Sequence, residues 1–134
     1  GMLNPHNFCK PIVKRYEDRD ALQKIVLEAH PKIMFGSDSA PHQKENKECH
    51  HGAAGVFNSP IALQLLTELF EKNGKLDKLN AFVSLNAQRI YNLKPTSKPI
   101  TLIKKDFTVP DIYSYKNEQV VPMFAGKNLL WSIE

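Results

Sequence analysis

No apolar run in the 134 residues approaches the roughly 18 positions that a membrane-spanning helix takes. The opening stretch "GMLNPHNFCKPIVKR" also lacks the charged lead and apolar core of an export signal, so neither a membrane partner nor secretion is expected. Cysteine is scarce. The two present, Cys9 and Cys49, form no C-x-x-C pair, which argues against a zinc finger or a redox motif and makes a reducing cytoplasm the expected setting. Arginine supplies only three of the 18 basic residues, and the lysines are scattered, with no basic run interleaved with aromatics. A nucleic-acid partner is therefore not expected, although a net charge of +4 suits a small acidic substrate. Internal repeats and low-complexity segments are absent as well.

What is present is an ordinary globular composition, 42% hydrophobic and 24% charged, long enough for one domain. The pattern is α/β. Residues 7–13, "NFCKPIV", read as a short strand with Pro11 near its end. "EDRDALQKIVLEAH" reads as a helix, with acids in its first turn and Leu22, Ile25, Val26 and Ala29 at i, i+3, i+4, i+7. Pro31 stops it. Ile33, Met34 and Phe35 then form an uninterrupted apolar run fit for a strand buried on both faces. Strand, helix, strand predicts two parallel neighbours with Lys10 and Asp38 facing one cleft. Because the chain opens on Gly-Met and runs quickly into a strand-like segment, it is expected to be a piece of something larger.

From Ser37 to Asn58 the sequence is polar and without period, the mark of a functional loop, and the small residues of "HHGAAG" permit close backbone approach to a ligand. Ser59-Pro60 is expected to open a helix with Ile61, Leu65, Leu66 and Leu69 as its apolar stripe and Asn73-Gly74 as its terminator. A further helix over 76–92 should turn Leu79, Phe82, Val83 and Ile90 inward. After Pro95 and Pro99, "ITLIKKDFTV" alternates loosely, and Gly126-Lys127-Asn128 between two apolar runs predicts a short hairpin or an edge strand pair.

Asp38, in "KIMFGSDSAPH", sits where the buried run opens into the loop. It reads either as a metal ligand or general base, or as an Asx-turn residue accepting backbone N–H bonds. His42 could ligate a metal, hold an anionic group or bond a carbonyl. Cys49, His50 and His51 resemble a metal trio, yet adjacent residues rarely converge on one ion; Cys49 with either histidine could also serve a small hydrolase. His6 and His30 read as structural. A lone aspartate cannot hold a catalytic metal, which takes about three protein ligands.

"FGSDSAPHQKEN" followed by "GAAGVFNSPIALQLLTELFE", with "NPHNFCKPIVKR" before and "FVSLNAQRIYNL" after, closely resembles dihydroorotases of the short bacterial type, members of the amidohydrolase superfamily of TIM-like barrels. The resemblance runs from about Asn4 to Trp131. It implies the C-terminal part of a TIM-like (β/α)8 barrel, about the last two strands and their helices, with a short C-terminal β-containing tail. Residues 1–94 would form the barrel segment and 95–134 the tail packing on it. The implied activity is the reversible conversion of N-carbamoyl-L-aspartate and L-dihydroorotate at a paired zinc site. Asp38 matches an aspartate that binds one metal and shuttles a proton. His42 matches a histidine that helps bind the substrate carboxylate, and Ala54 and Lys10 match main-chain contacts to the substrate.

Two departures stand out. Many relatives have Cys-Gly-Cys where this chain has Cys49 and then His50-His51-Gly52. The family's H-x-H pair, its carboxylated lysine, two further metal-binding histidines, and the arginine and asparagine that hold the substrate carboxylate lie on earlier strands and have no counterpart here. The chain is therefore expected to be inactive alone and to associate with the missing N-terminal barrel half or with itself. The contrasting expectation is a non-catalytic binding or assembly module that keeps the barrel's last segment for docking and needs no metal.

Overall fold

The computed structural model describes residues 3–12, 15–95 and 97–134. Val13, the last residue of the strand expected over 7–13, lies outside them. The chain divides into two compact units, each assembled from three separate stretches. One takes residues up to 12, then 37–62 and 106–129; the other takes the remainder.

The second unit holds the main core. Helix α1 (Tyr16–Leu27) begins with Glu17 and Asp18 in its first turn, as the dipole favours. It ends in a Schellman motif: Ala29 N–H donates to Val26 O and His30 N–H to Ile25 O, with Ala29 at φ +45°. Helix α3 (Ala62–Lys72) ends identically, with Gly74 at φ +64° and bonds to Glu71 and Phe70. Helices α4 (Leu76–Asn80) and α5 (Asn86–Tyr91) are joined by a π-helical turn, Ala81–Leu85. Phe70, Leu79 and Phe82 form the buried centre, and Val26, Ile33, Phe35, Leu66 and Val83 pack against it. The Phe70 and Phe82 rings stack at 5.9 Å, and Phe35 is tilted against Phe82 at 6.1 Å.

Five expectations are corrected here, in whole or in part. Among the described residues Ile33–Phe35 joins no ladder; Phe35 N–H instead donates to Phe82 O, so a helical neighbour holds the run. Leu22 of α1 is 54% exposed, and the most buried face of α3 is Ile61, Gln64, Thr67 and Phe70, with its leucines half-buried beside it. Leu66 and Leu69 line a groove against α1, and Leu66 also packs on the core. Ile90 is exposed because the last helical turn has run past the core, and the inward residue there is Asn86. The α3 helix also starts after Ser59-Pro60, which lie in a preceding turn.

In the first unit a 3-10 turn (Pro5–Asn7) and a one-turn helix α2 (Lys44–Lys47) replace, among the described residues, the strand expected at 7–13 and part of the structureless loop. No strand is assigned to residues 7–12, so the parallel pair is not formed among the described residues. Among the described residues the tail makes three antiparallel pairs: β1 (Leu102–Ile103) with β6 (Ser132–Ile133), β2 (Phe107–Thr108) with β5 (Asn128–Leu129), and β3 (Tyr113–Tyr115) with β4 (Glu118–Val120). The two runs flanking Gly126-Lys127-Asn128 therefore do not pair with each other. Each pairs with an earlier strand, and the tight hairpin turns at Lys116-Asn117.

Candidate active site

Asp38, His42, Ala54 and Lys10 all fall in the first unit. A polar frame sets the backbone around Asp38. Ser39 Oγ accepts from the N–H groups of Asn58 and Ser59 at 3.2 and 3.1 Å, and Asn58 Nδ2 donates to Ser37 O at 2.9 Å. Ala40 N–H donates to Val56 O. Between these anchors Asp38 takes φ +42°, a left-handed conformation that aspartate tolerates better than most residues. Its carboxylate is exposed and makes no bond to any described residue, which removes the Asx-turn reading.

His42 is half-buried and donates Nε2–H to Ala54 O at 3.1 Å, which leaves Nδ1 for a ligand. Ala54 is exposed, and its N–H has no partner among the described residues. The turn carrying it needs glycine at position 55. A Cβ there, at φ +153°, would stand 2.7 Å from Ala40 O and from His42 Nε2. Lys10 is exposed, with its ammonium 6.0 Å from the Phe8 ring centre.

Sequence reasoning missed Lys47. It is 3% exposed, and its ammonium donates to Gly55 O at 2.6 Å, Ala53 O at 2.8 Å and Phe8 O at 3.1 Å. Burial pulls its pKa below the usual lysine value, and the charge of Cys9 opposes that. His6 also has a partner the sequence gave no sign of: its Nε2–H donates to Glu48 at 2.9 Å, while Lys44 donates to the same carboxylate at 2.6 Å. These two bonds, Lys44's first, hold the Glu48 carboxyl below its ordinary range.

Cys49, His50 and His51 are exposed, and no cluster of three or more His, Cys, Asp or Glu side chains suited to a metal occurs among the described residues. The Cys49 thiol donates to Asn46 O, and the two imidazoles meet edge to face at 4.7 Å. No helix among the described residues is long and apolar enough to cross a membrane.

No protein-family model matches the chain. Curated proteins do. It is 47% identical over 135 aligned positions to dihydroorotase of Helicobacter acinonychis, covering 100% of this chain and 40% of that protein. It is 44% identical over 131 residues to a mitochondrial dihydroorotase of Arabidopsis thaliana, covering 98% of this chain and 35% of the relative. The crystal structure of the Campylobacter jejuni dihydroorotase superposes on the whole chain with a TM-score of 0.90 at 47% identity. The chain is similar over its whole length to dihydroorotases. It spans 35–40% of the length of these relatives and corresponds to a C-terminal segment. A second dihydroorotase, from Saccharomyces cerevisiae and solved with 5-fluoroorotic acid, superposes with a TM-score of 0.93 at 36% identity over 98% of the chain and 38% of its own length.

Proposed function

We propose that the complete protein is a dihydroorotase, interconverting N-carbamoyl-L-aspartate and L-dihydroorotate in pyrimidine biosynthesis, and that this chain is the C-terminal part of its TIM-like barrel. Residues 1–94 then supply the last strands, helices and active-site loop, and 95–134 a tail packed on the barrel. The observation that carries the reading is 44–47% identity sustained over 98–100% of the chain. The pose of Asp38 supports it: an exposed, unpartnered carboxylate held at left-handed φ by a serine and asparagine frame suits a ligand offered to a shared metal.

Asp38 would be one ligand of a paired zinc site whose other ligands come from the rest of the barrel. When bound, zinc supplies Lewis acidity toward the amide carbonyl. The Asp38 carboxylate takes up a proton as the ring amide is attacked and returns it to the ring nitrogen as the ring opens. His42, with a proton on each ring nitrogen, would donate Nδ1–H to the substrate carboxylate, the Ala54 N–H donates to the substrate, and the Lys10 main chain lies against the ring. Because only one ligand of the set is here, the isolated chain is inactive. The groove of about 600 Å³ between α1 and α3, lined by Tyr16, Leu22, Val26, Leu66 and Leu69, is a surface that the missing barrel half covers, or failing that a second copy. Two exposed free thiols support a reducing, cytoplasmic setting.

The test is a chimera in which this chain replaces the matching part of the Campylobacter jejuni enzyme. It is expected to bind zinc and hydrolyse dihydroorotate. Asp38→Asn should lower kcat by about 10³-fold or more, and His42→Ala should act mainly on KM. Full kcat in the Asp38→Asn chimera overturns the assignment.

A further inference from the structure

We infer that Lys47 is a positioning residue for substrate binding, its ammonium fixing the Phe8–Lys10 stretch and the Ala53–Gly55 turn in one relation. The inference rests on the dihydroorotase reading and adds to it a residue that touches neither metal nor substrate. An ammonium has three N–H donors, and here each finds a main-chain carbonyl: Phe8, Ala53 and Gly55. Two of these flank Ala54, and the third lies two residues before Lys10.

Other bonds converge on the same knot. Gly55 N–H donates to Phe8 O, and Ala53 N–H donates to Asn46 O, next to Lys47 itself. His42 leans on Ala54 O. The space is filled, since a Cβ on Gly55 would stand 2.7 Å from His42 Nε2. Three carbonyl dipoles aimed at one point repel unless a cation sits between them, and at 3% exposure little water can take its place.

The side-chain bonds that frame Asp38 come from Ser39 and Asn58, neither of which shares a hydrogen bond with Lys47, although the Ala40–Val56 bond of the same frame adjoins Gly55. Loosening the lysine knot therefore displaces the main-chain substrate contacts and the His42 ring while leaving the proton-carrying carboxylate in place. A role confined to overall folding would give no such split between binding and turnover.

The experiment uses the chimera described above, with zinc content measured alongside dihydroorotate kinetics. Lys47→Met should raise KM by about tenfold or more, with kcat within about threefold of the parent and zinc content unchanged. Lys47→Gln keeps two donors on a shorter stem, and by the same measure should also raise KM; it decides the matter if the methionine variant does not fold. A parental KM in whichever variant folds overturns the inference alone. A parent chimera that folds and binds zinc without turnover overturns the dihydroorotase reading, and the inference falls with it.

Discussion

Replacing Asn86 by leucine should show how strongly one buried amide ties α5 to the end of α1. Asn86 is 6% exposed, and its Nδ2 donates to Ile33 O at 2.7 Å, His30 O at 3.1 Å and, at the limit of a bond, Ala29 O at 3.4 Å. Leucine has a similar volume but no donor, so two carbonyls lose close partners at about 1–3 kcal/mol each. His30 is exposed and its carbonyl can recruit water, and the added apolar contact returns about 1 kcal/mol, which leaves a net loss of about 2 kcal/mol. With a urea dependence of about 1–3 kcal/mol per molar, the unfolding midpoint should fall by about 1 M, read by circular dichroism. Asn86→Asp, which sets a carboxylate against the same carbonyls, should be at least as damaging. Midpoints within about 0.2 M of the parent in both variants would refute the reasoning.

The two Schellman ends predict opposite effects of exchanging alanine and glycine. Ala29→Gly removes a left-handed alanine at φ +45° and should stabilise the chain by about 0.5–1 kcal/mol in urea unfolding, whereas Gly74→Ala, at φ +64°, should cost about 1 kcal/mol. Equal signs for the pair would contradict the motif. Lys104 and then Trp131, whose Nε1–H donates at 2.9 Å, hold the Glu71 carboxyl below the ordinary value of 4.5. A depressed carboxyl contributes stability above its unfolded value and loses it as the pH falls through the folded one. Fluorescence of Trp131, the single tryptophan, should therefore stay constant down to 4.5 and change only below it, and Glu71→Gln should abolish that transition. A midpoint above 4.5 in the parent would count against it.

The helices were legible because their signals are local. Acids opened α1, and Asn73-Gly74 closed α3 with the bond pattern a left-handed glycine permits. The leucines of α3 misled because amphipathic spacing marks surfaces that need cover without naming what covers them. Lys47 was hidden in "HQKENKE", where a lysine reads as a solvated charge; two of its partners are backbone groups 6 and 8 residues on, and the third is 39 residues back. Backbone carbonyls leave no trace in side-chain pattern. The tail failed for another reason: strands of two or three residues carry too little alternation to fix their partners, so the glycine at position 126 drew the eye to the wrong turn. Asp38 stood out by its place at the end of an apolar run, but its role came from family likeness, since nothing in one carboxylate specifies a reaction.

The three antiparallel pairs of the tail are nested like brackets, Tyr113–Tyr115 with Glu118–Val120 innermost and Leu102–Ile103 with Ser132–Ile133 outermost. Closing the inner bracket shortens the slack in the next, so each later rung forms across a smaller effective loop than its distance along the chain implies. Assembly should then proceed from the Lys116 bend outward, like a zip pulled from its closed end. Clipping the last five residues would undo only the outermost rung, whereas an insertion at the bend would weaken all three.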